Sequence, residues 1–90
     1  MACIVGKIVE SRSLMPLADA VVTATGPEME DEKTVVTDER GIFILTGITG
    51  PVRLHLEKEG HVVTDDVAAP GQAVHLTMRK ASKPSGEKIE

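Results

Sequence analysis

Apolar residues recur along this chain with a period of two, in short bursts separated by turn-forming residues. That spacing marks half-buried β-strands, because successive side chains of a strand point to opposite faces. The first burst, Cys3 to Val9, puts Ile4, Gly6 and Ile8 on one face. Ser11-Arg12-Ser13 ends it, and Met15-Pro16-Leu17 leads into a second, Ala18 to Thr25, where Ala20, Val22 and Ala24 share a face. Gly26-Pro27 stops that strand, and the acidic run Glu28-Met29-Glu30-Asp31-Glu32 reads as a solvated loop. A third strand, Lys33 to Thr37, is expected to form a hairpin with a fourth, Ile42 to Thr46, across Asp38-Glu39-Arg40-Gly41. Asp38 is placed to accept backbone amides in a type I turn, and Gly41 to take the positive φ that closes it. Three more strands follow, Val52 to Lys58, His61 to Val67 and Ala73 to Arg79, divided by Glu59-Gly60 and Ala69-Pro70-Gly71-Gln72.

Seven short strands with a turn signal roughly every 8–12 residues predict an all-β protein, an antiparallel Greek-key β-sandwich. No window carries a convincing helical stripe. A length of 90 residues allows one domain, placed at residues 1–80. Residues 81–90 have too few apolar side chains to pack and are expected to form a disordered C-terminal tail.

Composition narrows the function. Apolar residues make up 41% of the chain and charged residues 27%, as in ordinary globular proteins. Aromatic content is 1%, a single Phe43. A carbohydrate platform needs exposed rings, and a single-strand nucleic-acid groove needs rings to stack on and a basic surface. Here the net charge is -4, and the one adjacent basic pair is Arg79-Lys80. Nucleic acid and anionic membranes are therefore not expected partners. No apolar run approaches the length of a membrane-spanning helix.

Cys3 is the only cysteine and has no internal disulfide partner, so stability must come from the core. Met1 runs straight into Cys3-Ile4-Val5 without the basic and apolar regions of a signal peptide. Taken as a native start, this implies a cytoplasmic protein. Taken as an excised domain, it leaves an extracytoplasmic one open.

The order Ile4-x-Gly6-x-Ile8, Pro16-Leu17-x-x-Ala20-x-Val22, Thr37-Asp38-x-x-Gly41-x-Phe43, Gly50-x-Val52-x-Leu54 and Glu59-Gly60-His61 resembles the carboxypeptidase regulatory-like domain. That family belongs to the transthyretin-like (prealbumin-like) group of seven-stranded sandwiches, and the resemblance runs from about Ile4 to Met78. It implies that Gly6, Pro16, Leu17, Asp38, Gly41, Phe43, Gly50 and Gly60 are structural positions. It also implies a non-catalytic module that stabilises or positions a partner protein. The family pattern has aromatics where Val52 and His61 stand here, so the core is expected to be aliphatic.

The alternative within the same group is a small-ligand-binding or hydrolytic protein working at a subunit interface. The hydrolase pattern ends in Tyr-Arg-Gly-Ser and carries a histidine in its first strand. This chain ends its last strand Thr77-Met78-Arg79-Lys80 and has no histidine between Ile4 and Val9. Nucleophilic catalysis needs a hydroxyl or thiol beside an oriented base, and Cys3 has no base next to it in sequence. Asp65-Asp66 and the Glu28–Glu32 group lack the spacing of a calcium loop. His55 and His75 would share a transition metal only if their strands were neighbours, and no Cys or Asp stands beside either at ligand spacing. No catalytic, metal or cofactor site is expected, and the enzyme reading is set aside.

Protein contact remains. Several strands are apolar on both faces, with Ile42 and Ile44 opposite Phe43 and Leu45, Val36 opposite Val35, and Val5 and Val9 opposite Ile4 and Ile8. An antiparallel sandwich normally has a polar outer face. Val36, Ile42 and Ile44 are therefore the expected interface with a neighbouring domain or a second copy, the latter giving a homodimer.

Overall fold

The computed structural model describes residues 2–27, 29 and 31–81. The expected tail lies, apart from Ala81, outside the described residues. The strands are β1 (Ala2–Glu10), β2 (Val21–Thr25), β3 (Lys33–Val36), β4 (Ile42–Ile48), β5 (Val52–Glu57), β6 (Thr64–Ala68) and β7 (Ala73–Met78). They form two sheets, a three-stranded one in the order β4-β1-β7 and a four-stranded one in the order β3-β2-β5-β6. The architecture is an all-β sandwich.

The alternation read from the sequence sorts the side chains. Ile4, Ile8, Phe43, Leu45, Ile48, Leu76 and Met78 face inward from the smaller sheet. Val22, Ala24, Val52, Leu54, Leu56 and Ala68 meet them from the larger one. Leu17 and Ala20, on the crossing between β1 and β2, close one end of this core. Its bulk is aliphatic, and Val52 fills an inward position that the resemblance would give to an aromatic.

Three sequence expectations are corrected. The β3–β4 connection is not a hairpin, because β3 pairs with β2 and β4 pairs with β1. The turn chemistry at that connection is nevertheless present. The Asp38 carboxylate accepts the Arg40 and Ile42 amides, each at 2.9 Å, and Gly41 sits at φ 75°. A Cβ on Gly41 would lie 2.4 Å from the Ile8 carbonyl oxygen, so the chain passes from one sheet to the other in too little space for any other residue. The sandwich is also not wholly antiparallel, since β1 runs parallel to β7. Both strands lie far apart in sequence and meet inside the smaller sheet, which no hairpin constrains.

The third correction concerns strand limits. The second strand begins at Val21, because Asp19 adopts φ 62° in a turn. The sixth begins at Thr64, while His61 makes an isolated bridge to Lys80.

Among the described residues, Thr37 is the one buried polar side chain. Its hydroxyl donates to the Leu17 carbonyl at 2.6 Å and accepts the Ala20 amide at 2.9 Å. The Thr37 amide donates to the Ala20 carbonyl at 2.9 Å. One side chain thus ties the β1–β2 crossing to the β3–β4 crossing, satisfying backbone groups that no strand reaches.

Gly6 and Phe43 are directly opposed across the β1–β4 ladder. A Cβ on Gly6 would lie 2.2 Å from Phe43 Cζ, so the phenyl ring occupies the space that any other side chain at position 6 would need. Pro16 bridges to Val9 and covers it, which explains why Val9 is buried although it points out of the sandwich. Gly50 is buried between β4 and β5, and Gly60 is an exposed turn residue at φ 79°.

Candidate interaction surfaces

The residues expected to form an interface do not form one surface. Ile42 and Ile44 lie on the outer face of the three-stranded sheet, Ile44 being 54% exposed and Ile42 half-buried. Val36, 53% exposed, lies on the outer face of the other sheet. The sequence reading grouped them because their strands are apolar on both faces. With the two strands in different sheets, they stand on opposite sides of the molecule.

Around Ile44 the cross-strand register builds an apolar band. Val5 pairs with Ile44 on one side and with Ala73 on the other, and both Val5 and Ala73 are exposed. The next row runs Ile42, Lys7, His75. Cys3, exposed and free, extends the same face. The outer face of β4-β1-β7 therefore carries β-branched side chains, a lysine and a histidine, without a carboxylate among its strand residues.

The four-stranded sheet presents a different outer face. One row runs Thr34, Thr23, His55, Asp65 across β3, β2, β5 and β6. His55 Nδ1 lies 2.8 Å from Asp65 Oδ1, and its Nε2 lies 3.5 Å from Glu57 Oε2. Sequence reasoning found no Cys or Asp beside His55 because Asp65 is ten positions away along the chain. The β5–β6 register places the two side by side. The signal available was the spacing of two alternating strands about the Glu59-Gly60 turn.

The hydrogen bond to Asp65, then its charge, then Glu57 hold a proton on His55 and raise its pKa above the ordinary 6.5. The folded value being the higher one, these contacts support the fold below about pH 6.5 and fade as the pH climbs through the folded value. We expect the His55 imidazole to titrate above that value in an NMR pH series, and Asp65→Asn to bring it down. A titration unchanged by Asp65→Asn would show that the pair is not formed in solution.

His55, His75 and His61 do not converge. His55 is on the four-stranded sheet, His75 on the three-stranded one, and His61 on the segment bridged to Lys80. The geometric condition for a shared metal is thus unmet. Cys3 is likewise across the sandwich from His55. An open cleft of about 610 Å³ lies at one end of the sandwich, bordered by Glu10, Arg12, Val62, Arg79 and Lys80. A second, of about 430 Å³, is bordered by Gly26, Pro27, Pro51, Arg53 and Val67. Neither borders His55 or His75.

No protein-family model matches the chain. It is 42% identical over 57 residues to the TonB-dependent transporter Oar of Myxococcus xanthus, a match that covers 62% of this chain and 5% of that protein. The chain thus corresponds to a small part of that relative's length. In three dimensions it is similar to the 3-chlorocatechol 1,2-dioxygenase of Rhodococcus opacus 1CP, with a TM-score of 0.68 over 88% of this chain and 60% of that one. Sequence identity there is 14%, so the likeness is one of fold.

Proposed function

We propose that this chain is a non-catalytic β-sandwich module that works through protein contact, of the carboxypeptidase regulatory-like kind and with the seven-stranded Greek-key topology of transthyretin-like domains. The observation that carries the reading is the outer face of the three-stranded sheet. There Val5 and Ile44 are 41% and 54% exposed, where a sheet face left to solvent would present polar side chains. The similarity to a short part of a much longer transporter supports a module attached to a larger machine. The separation of His55 from His75 and Cys3, which lie on the opposite outer face, supports a role without chemistry. The order of the motif residues supports the family: Leu17 and Phe43 pack in the core and Asp38 with Gly41 shapes a turn.

The partner surface is that of a second copy or of an adjacent domain. Sedimentation velocity from micromolar to millimolar concentration tests the self-association. The expected result is a mass that rises reversibly with concentration, and a monomer throughout would count against it.

A further inference from the structure

The two sheets differ in how their edges are guarded. An unpaired edge strand is a template for another strand, and natural sheets blunt it with charges, short length or inward-pointing acids. Both edges of the four-stranded sheet are blunted. β3 has four residues, begins with Lys33 and follows Asp31 and Glu32. β6 carries Asp65 and Asp66, and Asp66 pairs with inward Leu54 while its carboxylate turns back to the Val67 amide at 2.8 Å. In the three-stranded sheet, the chain immediately after β7 is paired with the segment at residues 61–62, the Val62 amide donating to the Arg79 carbonyl. Past Ile42, whose edge groups Asp38 engages, β4 has no such protection. Its seven residues, Ile-Phe-Ile-Leu-Thr-Gly-Ile, include no charge and no proline.

The ladder also shows which backbone groups β4 leaves free. The Ile8 amide donates to the Gly41 carbonyl at 2.8 Å. Antiparallel pairs alternate between bonded and non-bonded, so in the same register Phe43 and Leu45 bond to β1 while Ile42 and Ile44 do not. Ile42 is satisfied by Asp38, whose carboxylate accepts its amide at 2.9 Å and whose own amide donates to its carbonyl at 3.0 Å. The N–H and C=O of Ile44 point to the open edge, and among the described residues nothing receives them.

We infer that β4 pairs edge to edge with β4 of a second copy, Ile44 exchanging N–H and C=O with its own counterpart about a two-fold axis. The two three-stranded sheets then join into one of six strands, an inference that rests on the protein-contact reading above. A second copy suits this edge because an uncharged strand opposes no like charge when paired with itself. Self-pairing of β6 would instead bring Asp65 and Asp66 near their own copies, and β3 has only four residues to offer. The pairing sets the exposed Ile44 side chains opposite one another on one face, at a distance where cross-strand apolar pairs interact. The register shift between Ala2 and Ile4 bulges the ladder just beyond Leu45 and keeps the contact short.

The test uses charge at Ile44. In the dimer, Ile44→Lys and Ile44→Glu should each sediment as a monomer, and an equimolar mixture of the two should regain the dimer. Ala73→Glu, two strands away on the same outer face, should leave dimerisation unchanged. In the unmodified chain, NMR amide exchange at Ile44 should slow by at least several-fold between dilute and concentrated samples. Thermal melts check that each variant folds, and the wild-type exchange result stands whether or not they do. A dimer that Ala73→Glu abolishes, with the mixture monomeric and Ile44 exchange indifferent to concentration, would overturn edge pairing and leave docking by the sheet face. A wild-type monomer at every concentration would overturn both.

Discussion

Phe43→Ala should lower the unfolding free energy by about 3–5 kcal/mol, the range for truncating a buried Phe. Domains of this kind are stable by roughly 5–15 kcal/mol, so the variant should stand near the edge of folding. Phe43 is the only aromatic side chain, is 2% exposed and lies between the two sheets. No second ring is available to relax into the cavity, and the surrounding aliphatic side chains are held by strand pairing on both sides. The opposing Gly6 makes the effect diagnosable. Gly6→Ala alone drives a methyl into the phenyl ring at 2.2 Å and should be destabilising by about 1–3 kcal/mol or more, as overpacked cores are. In the Phe43→Ala background the same methyl enters vacated space and should cost much less. Urea denaturation of the four proteins of this cycle measures the coupling. Strictly additive losses would mean that the ring does not lie over Gly6.

The second large effect is expected at Thr37→Val. The replacement keeps the shape and burial of the side chain and removes the hydroxyl. The Ala20 amide then loses its acceptor and the Leu17 carbonyl its donor. Unsatisfied buried groups cost about 1–3 kcal/mol each, so a loss of about 2–6 kcal/mol is expected for the two. Thr37→Ser retains both hydrogen bonds and should lose about 1 kcal/mol, the value of the methyl alone. Equal stability of the valine and serine variants would show that the hydroxyl is not the tie between the two crossings. Amide exchange adds a local readout, because Ala20 should become the most strongly accelerated amide in the valine variant.

These two residues differ in how far they could be read from the chain. Phe43 falls on an inward position of an alternating strand, and nothing but that alternation is needed to bury it. Thr37 reads as the last residue of a strand. Its role depends on two crossings that pass each other only in the folded molecule. The same contrast holds at the surface. Ile44 is outward by its position in β4, and it is exposed. That it does not stand beside Val36 follows from strand pairing, and the sequence reading placed them together.

Alternation of side chains is a property of one extended segment, so inward and outward faces, turn residues and the near-absence of a helix could be read residue by residue. The turn chemistry of Asp38 and Gly41 is local for the same reason, and it is present as expected. Sheet membership is not local. The same four-residue turn can close a hairpin or carry the chain between sheets, and which occurs depends on whether β3 finds a better partner in β2 than in β4. The parallel union of β1 with β7, the carboxylates on either side of His55 and the unguarded edge of β4 all arise from pairings between distant segments. The chain's alternating pattern settled which side chains would be buried. Competition among strands for hydrogen-bonding partners, resolved only when the whole core closes, settled which surfaces they would form.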